Sequence, residues 1–465
     1  MNMINVRRLA VMTFLGAGML SDISAQDFSL QADTLNEARL PAQWDLQSCI
    51  DYALEQNITI RKNRVTAEST QIDVKTAKAA LFPSLSFSTS QQVVNRPYQE
   101  TSSRVSGSEI ISSNSKTSYN GNYGLNASWT IYNGSKRLKT LKQERLNNQV
   151  AELDVATSEN MIKESIAQIY IQILYAAESV RVNENTLQVS IAQRDRGQEL
   201  LNAGSIAKSD FAQLEAQVST DRYQLVTAQA TLQDYKLQLK QLLELDGENE
   251  MNVYLPKLSD ENVLAPLPAK KDVYVSALAI RPEIEASKLN IEASELGIDI
   301  AKSSYFPTIS LSAGIGTNHT SGSDFTFSEQ VKNGWNNSIG LSVSVPIFNN
   351  RQTKSAVQKA KLQRETDMLS LLDEQKALYK TIESLWLDAN SAQQRYAAAN
   401  EKLRSTQISY DLISEQFNLG MKNTVELLTE KNNLLQAQQE QLQAKYMAIL
   451  NTQLLKFYQG DKLTL

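Results

Sequence analysis

The sequence carries one large unit twice, and the duplication limits the folds open to it. Ala53-Leu54 through Phe82-Pro83 is echoed by Ala277-Leu278 through Phe306-Pro307, each residue displaced by 224 positions. The match is plainest where Ala77-Lys78-Ala79-Ala80-Leu81-Phe82-Pro83 stands against Ala301-Lys302-Ser303-Ser304-Tyr305-Phe306-Pro307. Further along, Ile131-Tyr132-Asn133-Gly134 is echoed by Ile347-Phe348-Asn349-Asn350 and Gly204 by Gly420, now at an offset of 216. The offset drops inside a loop between two strands. A unit of this size is half of a duplicated chain, far longer than the roughly 20–50 residues of a solenoid repeat.

Each half reads as helix, strand, loop, strand, long helix, turn, helix. In the first half Asp45 suits a helix N-cap, and Leu46, Ile50, Ala53 and Leu54 follow at helical spacing. One helix is expected from Leu46 to about Leu81. Phe82-Pro83 ends it, because proline breaks a helix interior but suits the first residue of a strand. Residues 84–90 alternate serine with Leu85, Phe87 and Thr89. Residues 91–118 are rich in Ser, Asn and Gly and read as a loop. Residues 119–132 alternate again, with Tyr119, Tyr123, Leu125, Ala127, Trp129 and Ile131 on one face and Asn120, Asn122, Asn126, Ser128 and Thr130 on the other.

No proline occurs between Pro97 and Pro256. Helical periodicity holds over about 69 residues, 135–203, or roughly 100 Å of helix. Gly204 interrupts it, and a second helix is expected over 209–245. The second half gives strands over 308–317 and 335–348 of the same two-faced design, a helix of about 70 residues to Gly420 and a last helix to about Tyr458. The expected organisation is a leader at 1–25, an arm at 26–45, a first repeat at 46–245, a linker at 246–271 and a second repeat at 272–465.

Composition excludes several functions. Net charge is −5 with no basic block, so there is no footprint for nucleic acid. Past the N-terminus no apolar run approaches the roughly 20 residues of a membrane helix. Cys49 and His319 are the only residues of their types, so neither an intrachain disulfide nor a His/Cys metal site can form. No nucleophile–base pair or phosphate loop is visible, which argues against an enzyme and against a cofactor. Arg7 and Arg8, the apolar run 9–20 and Ile23-Ser24-Ala25 before Gln26 have the pattern of a signal peptide, so export is expected.

Four strands, apolar on one face and small and neutral on the other, fit either a soluble sheet or a membrane barrel with lipid outside and water inside. Four strands cannot close a barrel, and an open edge cannot sit in lipid. A membrane reading therefore requires association of chains. The competing reading is an exported coiled-coil stalk of the cell envelope.

The duplicated order of elements, the Phe-Pro junctions and the glycine-containing turns resemble the TolC-like outer-membrane efflux proteins over essentially the whole chain after residue 25. The most specific segments are Gly204-Ser205-Ile206-Ala207-Lys208-Ser209-Asp210 and Phe417-Asn418-Leu419-Gly420-Met421-Lys422-Asn423-Thr424-Val425-Glu426. The resemblance implies an α+β fold and a homotrimer. Four strands from each chain would build a twelve-stranded outer-membrane barrel, continued by a periplasmic helical barrel. It implies a passive exit duct of a tripartite efflux or type I secretion system, working with a periplasmic adaptor and an inner-membrane pump in a Gram-negative-type envelope.

By motif position Asp210, Phe417, Lys422 and Glu426 would form the periplasmic entrance, and Gly204, Ser205, Gly420 and Met421 would present the tips to the adaptor. Two departures stand out. Phe417 replaces a frequent tyrosine, and Thr429 stands where a second ring carboxylate often sits. Leu125, Trp129, Ile131, Leu341, Val343 and Val345 are expected to face lipid, and Asn122, Asn126 and Ser128 the lumen.

Overall fold

The computed structural model describes residues 41–98, 102–106, 109–113, 116–246, 251–256, 263–321, 323 and 325–464. The expected leader, most of the expected arm and parts of the 246–271 linker lie outside the described residues. The chain divides into two units. In the smaller, Trp44 and Val253 form a parallel bridge, with the Trp44 N–H donating to Asn252 O and the Tyr254 N–H to Trp44 O, both at 2.8 Å. The larger unit holds every helix and strand among the described residues.

In order, the elements are α1 (Leu46–Gln56), α2 (Ile58–Ala79), β1 (Ser84–Asn95), β2 (Ser102–Ser106), β3 (Glu109–Ser113), β4 (Thr117–Asn133), α3 (Lys136–Asn202) and α4 (Lys208–Leu242). The second half gives α5 (Lys270–Ile280), α6 (Pro282–Ser303), β5 (Thr308–Thr320), α7 (Phe327–Asn333), β6 (Asn336–Ser344), α8 (Gln352–Asn418) and α9 (Thr424–Gln459). Both ends of α5 and α6 stand 224 positions after those of α1 and α2, and both ends of α8 stand 216 after those of α3. The two long helices have 67 residues each, about 100 Å.

Three expectations are corrected. The helix expected from Leu46 to about Leu81 is two helices, parted at Asn57. Asn57 is extended, and its side chain accepts from the N–H of Thr59 (3.0 Å) and of Ile60 (3.4 Å) while donating to Leu242 O (3.0 Å). The second half breaks at the equivalent Arg281, where Pro282 opens α6 in a position whose N–H would be unpaired anyway.

The loop expected over 91–118 is largely strand. β1 continues to Asn95, β4 begins at Thr117, and β2 and β3 pair between them. The strand expected over 335–348 stops at Ser344, because Pro346 has no N–H to give the ladder, and Val345 therefore lies just past the strand. The loop before it carries α7, opened by a capping box in which the Thr326 hydroxyl and the Glu329 carboxylate each take the other's backbone N–H.

The four long strands form one antiparallel sheet in the order β1-β4-β5-β6, so β1 and β6 are its edges. Its register sorts residues by face. Phe87, Leu125 and Ile315 share a row, as do Leu85, Ala127, Ala313 and Ile339, and Trp129, Leu311 and Leu341. On the other face Ser84, Ser128, Ser312 and Gly340 align, as do Ser86, Asn126, Gly314 and Ser338. Ile131 is the extra residue of a bulge, so Tyr132 rather than Ile131 stands opposite Ile309.

The helices pack through apolar stripes. Tyr170, Ile166 and Ile173 of α3 are fully buried. Ile284 of α6, Leu378 and Ile382 of α8 and Leu455 of α9 meet in a second core with Val273 and Ala277 of α5.

Candidate functional site: the helical tips and the two-faced sheet

The turns that join α3 to α4 and α8 to α9 are built alike. Gly204 and Gly420 adopt the left-handed conformation, φ +73° and +74°. At the first turn the Ser205 N–H reaches Leu200 O (2.8 Å) and the Gly204 N–H reaches Leu201 O (3.0 Å). At the second the Met421 N–H reaches Gln416 O (2.8 Å) and the Gly420 N–H reaches Phe417 O (2.9 Å). This is the Schellman pattern, which satisfies carbonyls a helix end would otherwise leave free. A Cβ at either glycine would meet nothing within 4 Å. Gly204, Ser205, Gly420 and Met421 are all exposed in this chain.

The second turn opens α9 with a full capping box. Asn423 Oδ1 accepts the Glu426 N–H (2.9 Å), and Glu426 Oε2 accepts the Asn423 N–H (3.3 Å). Glu426 Oε1 also accepts from Lys422 Nζ at 2.6 Å. The Lys422 ammonium, and after it the Asn423 N–H, hold the Glu426 carboxyl below the usual carboxylate range. The first turn has half of this device. Ala207 has no side-chain oxygen to cap α4, and Asp210 Oδ2 accepts the Ala207 N–H at 3.3 Å.

The four residues expected at the periplasmic entrance have separate partners within the chain. Lys422 and Glu426 are joined, and Asp210 caps its own helix. Phe417 is buried with Leu214 and Leu427, and Leu200, Tyr410, Ile413 and Leu428 close around them. Phe417 of α8 thus packs against α4 and α9, with α3 closing the cluster through Leu200.

Sequence reasoning missed what ties the two helical hairpins together above the tips. Lys431 of α9 donates to Asp221 of α4 and to the Ser190 hydroxyl of α3, and Ser190 donates to Asp221. Gln217 Nε2 donates to the other Asp221 oxygen at 2.9 Å. All three triad residues are buried, and burial pushes the Lys431 ammonium down against the pull of Asp221. Lighter links lie nearer the tips, from Gln193 Nε2 to Tyr410 OH (2.9 Å) and from Arg196 Nη2 to Asn418 O (3.3 Å). The sequence signal was a lysine inside the apolar stripe Leu427, Leu434, Leu435.

At the other end of the long helices the sheet leaves its apolar face uncovered. Phe87 (68% exposed), Ile339 (82%) and Leu341 (65%) stand on it with Leu85 and Val343. Leu125, Trp129 and Ile131 are also exposed, and Val345 is exposed beyond the strand end. So large a contiguous apolar surface marks contact with lipid or protein. The opposite face is knit by small polar groups: Ser84 to Ser128 (3.0 Å), Asn122 to Ser90 (3.3 Å) and Asn126 to Ser88 (3.4 Å). Trp129 Nε1 donates to Leu81 O at 2.8 Å, pinning the strand to the turn that follows α2. No described helix is long and apolar enough to cross a membrane. The described residues hold no cluster able to bind a metal ion.

The model of the outer membrane efflux protein family matches residues 49–244 and 273–460, one stretch in each half. The outer membrane efflux protein BepC of Brucella suis biovar 1 (strain 1330) is 24% identical over 294 residues, 63% of this chain and 61% of that protein. The outer membrane protein TolC of Escherichia coli (strain K12) is 24% identical over 342 residues, 70% of this chain and 66% of that one. The match thus spans about three fifths to two thirds of the length of these relatives. The crystal structure of CusC superposes with a TM-score of 0.76 at 19% identity, covering 90% of this chain and 93% of that one. The fold, long helices with four antiparallel strands in each chain, is therefore the one found in that transmembrane channel protein.

Proposed function

Because the chain belongs to the outer membrane efflux protein family, we propose that it forms an outer-membrane exit duct, through which cargo delivered by an inner-membrane pump and a periplasmic adaptor leaves the cell. The observation that carries this reading is the sheet. It has one uncovered apolar face, one face of serine, asparagine and glycine, and two open edges, and it sits at the ends of 67-residue helices. Lipid suits the first face and water the second. Three chains pairing β6 of one with β1 of the next would make a closed barrel of twelve strands, with no edge left in hydrocarbon. The long helices then cross the periplasm, and their turns at Gly204 and Gly420 meet the adaptor.

Transport through such a duct is passive, and the chain supplies no catalytic step. At the far end Glu426 and Asp210, repeated by three-fold symmetry, would ring the entrance and favour cations. Phe417 supports this region by packing.

Planar-bilayer recording tests the duct. Single-channel steps are expected from the purified oligomer, with block by trivalent cations from the periplasmic side. Glu426→Ala should resist that block. Equal block of both proteins would remove Glu426 from the entrance. No steps from wild type, Glu426→Ala or Asp210→Ala would remove the duct itself. A trimer that survives extraction and dissociates on heating is the second expected result.

A further inference from the structure

Counted from the end nearest the long helices, the uncovered face of the sheet carries four apolar rows. They are Tyr132–Ile309–Val343, Trp129–Leu311–Leu341, Leu85–Ala127–Ala313–Ile339 and Phe87–Leu125–Ile315, the last ending in the polar Asn337 on β6. The next two rows change character: Thr89–Tyr123–Thr317, then Gln91–Gly121–His319. Rows on one face lie two residues apart, about 6.8 Å along a strand. From the first row to the His319 row is about 34 Å, or about 26 Å across a bilayer at a tilt near 40°. The apolar band of an outer-membrane barrel is about 25 Å tall, so the His319 row falls at its outer limit.

That row is built up rather than left bare. The His319 ring lies across Gly121, where a Cβ would come within 2.3 Å of His319 Cε1 and 2.7 Å of Gln91 Oε1. Tyr119 and Tyr123 flank the ring, with centroids at 5.2 and 6.1 Å, and Phe327 of α7 meets it edge-on at 5.0 Å. The Tyr119 hydroxyl donates to Gln91 Oε1 at 2.7 Å.

The helix α7 is fastened to these same rows. The Thr317 hydroxyl donates to Val331 O (2.7 Å), and Gln330 Oε1 accepts the Thr320 N–H (2.8 Å). Around it Phe325 (57%), Phe327 (46%) and Trp335 (58%) are exposed together with Lys332. In a water-filled loop such rings would cost solvation. Trp335, Tyr119 and Tyr123 have rings with a polar edge, Phe325 and Phe327 add apolar ones, and beside a lysine able to reach phosphate this mixture suits the boundary between acyl chains and headgroups.

Resting on the duct reading, we infer that α7 and the ring cluster around His319 form a collar seated in the lipid headgroup layer on the side of the barrel away from the long helices. Its occupant is the bilayer surface, because the patch lies on the same face as the lipid-facing rows and begins where those rows turn from apolar to polar.

Spin labelling tests the collar in the full chain. Cys49 is fully buried, and Cys49→Ala provides a background without cysteine. Labels are placed at Ser328→Cys on α7, Leu341→Cys in the apolar rows and Met421→Cys at the tip, and the protein is reconstituted in phosphatidylcholine vesicles. Collisions with oxygen should exceed those with a water-soluble nickel chelate several-fold at 341. The reverse should hold at 421, and 328 should lie near parity. If 328 matches 421 while 341 stays oxygen-rich, α7 stands clear of the membrane and the collar is wrong. If 328 matches 341, α7 lies among acyl chains and the collar is equally wrong. A nickel-accessible 341 would overturn the lipid-facing sheet, and the collar with it.

Discussion

Lys431 of α9 and Asp221 of α4 form an ion pair sealed from water, their side chains 3% and 1% exposed, and the Ser190 hydroxyl of α3 completes the contact. The pair joins the hairpin of the first repeat to that of the second. Removing one partner leaves the other charged and buried, so Lys431→Ala is expected to cost about 3–5 kcal/mol. Lys431→Met combined with Asp221→Leu replaces both charges and should recover most of that loss. Denaturation midpoints followed by helical circular dichroism decide it. A single variant no worse than the double would show that the charges are not coupled.

Among the described residues four helix ends close on one left-handed residue, and three of these are glycine: Gly204, Gly420 and Gly460. The fourth is Glu244, at φ +56° and 216 positions before Gly460. A Cβ at Gly204 or Gly420 would touch nothing, so the cost of alanine there is conformational alone, about 1–2 kcal/mol. Faster amide exchange at Ser205 in Gly204→Ala, and at Met421 in Gly420→Ala, is the expected sign. Glu244→Gly should stabilise by up to about 1 kcal/mol, less the loss of the 3.3 Å bond from the Ile58 N–H to Glu244 Oε1. A lower melting midpoint for Glu244→Gly would mean that this bond outweighs the backbone strain.

Alkali should unfold the helical region by a route the sign of three shifts defines. Burial, reinforced by Glu178 for Tyr446, Glu164 for Tyr458 and Asp45 for Cys49, raises each of these groups to about 12. Each folded value lies above its ordinary one, 9.0 for the thiol and 10.0 for the phenols. Their contribution is therefore whole below those values and drains away as pH rises toward 12. The melting midpoint should hold steady through neutral pH and fall steeply above about 9–10. Ready modification of Cys49 in the folded protein near neutral pH would contradict the burial behind the prediction.

Acid acts at the tip instead. Lys422 and the Asn423 N–H hold the Glu426 carboxyl below its ordinary value of 4.5. The stabilisation is present above that value and is lost as pH falls through the folded one. A spin label at Met421→Cys should gain mobility on acidification. In the Glu426→Gln variant it should be mobile at neutral pH and insensitive to acid. A wild-type label that ignores acid would show that the turn does not depend on the carboxylate.

The duplicated frame was legible because its punctuation is chemical: Pro83 and Pro307 cannot continue a helix, and Gly204 and Gly420 take a positive φ that other residues rarely adopt. The four two-faced strands were legible through serine alternation. The break at Asn57 was not, since a polar residue on a solvated helix and a cap look alike; at its counterpart Pro282 carried a signal that the periodicity argument did not use. The pair β2–β3 was hidden because its serine-rich sequence matches a loop. Val345 was placed in β6 by alternation alone, without weighing the missing N–H of Pro346. Motif position brought Phe417 to the entrance, but only its neighbours Leu214 and Leu427 reveal that it points into a core. Lys431 escaped because its partners come from two other helices, 210 and 241 residues away in sequence.

The unpaired edges of β1 and β6 also bear on how the proposed duct would come into being. A lone chain offers two rows of backbone donors and acceptors that water can satisfy and hydrocarbon cannot. It therefore has no stable resting place in a bilayer, and in water the same edges invite pairing with whatever strand arrives first. On the duct reading, insertion and oligomerisation would be a single kinetic event. Its rate should climb more steeply than linearly with the concentration of chains, and dilution during refolding should trap monomers outside the membrane rather than yield small pores.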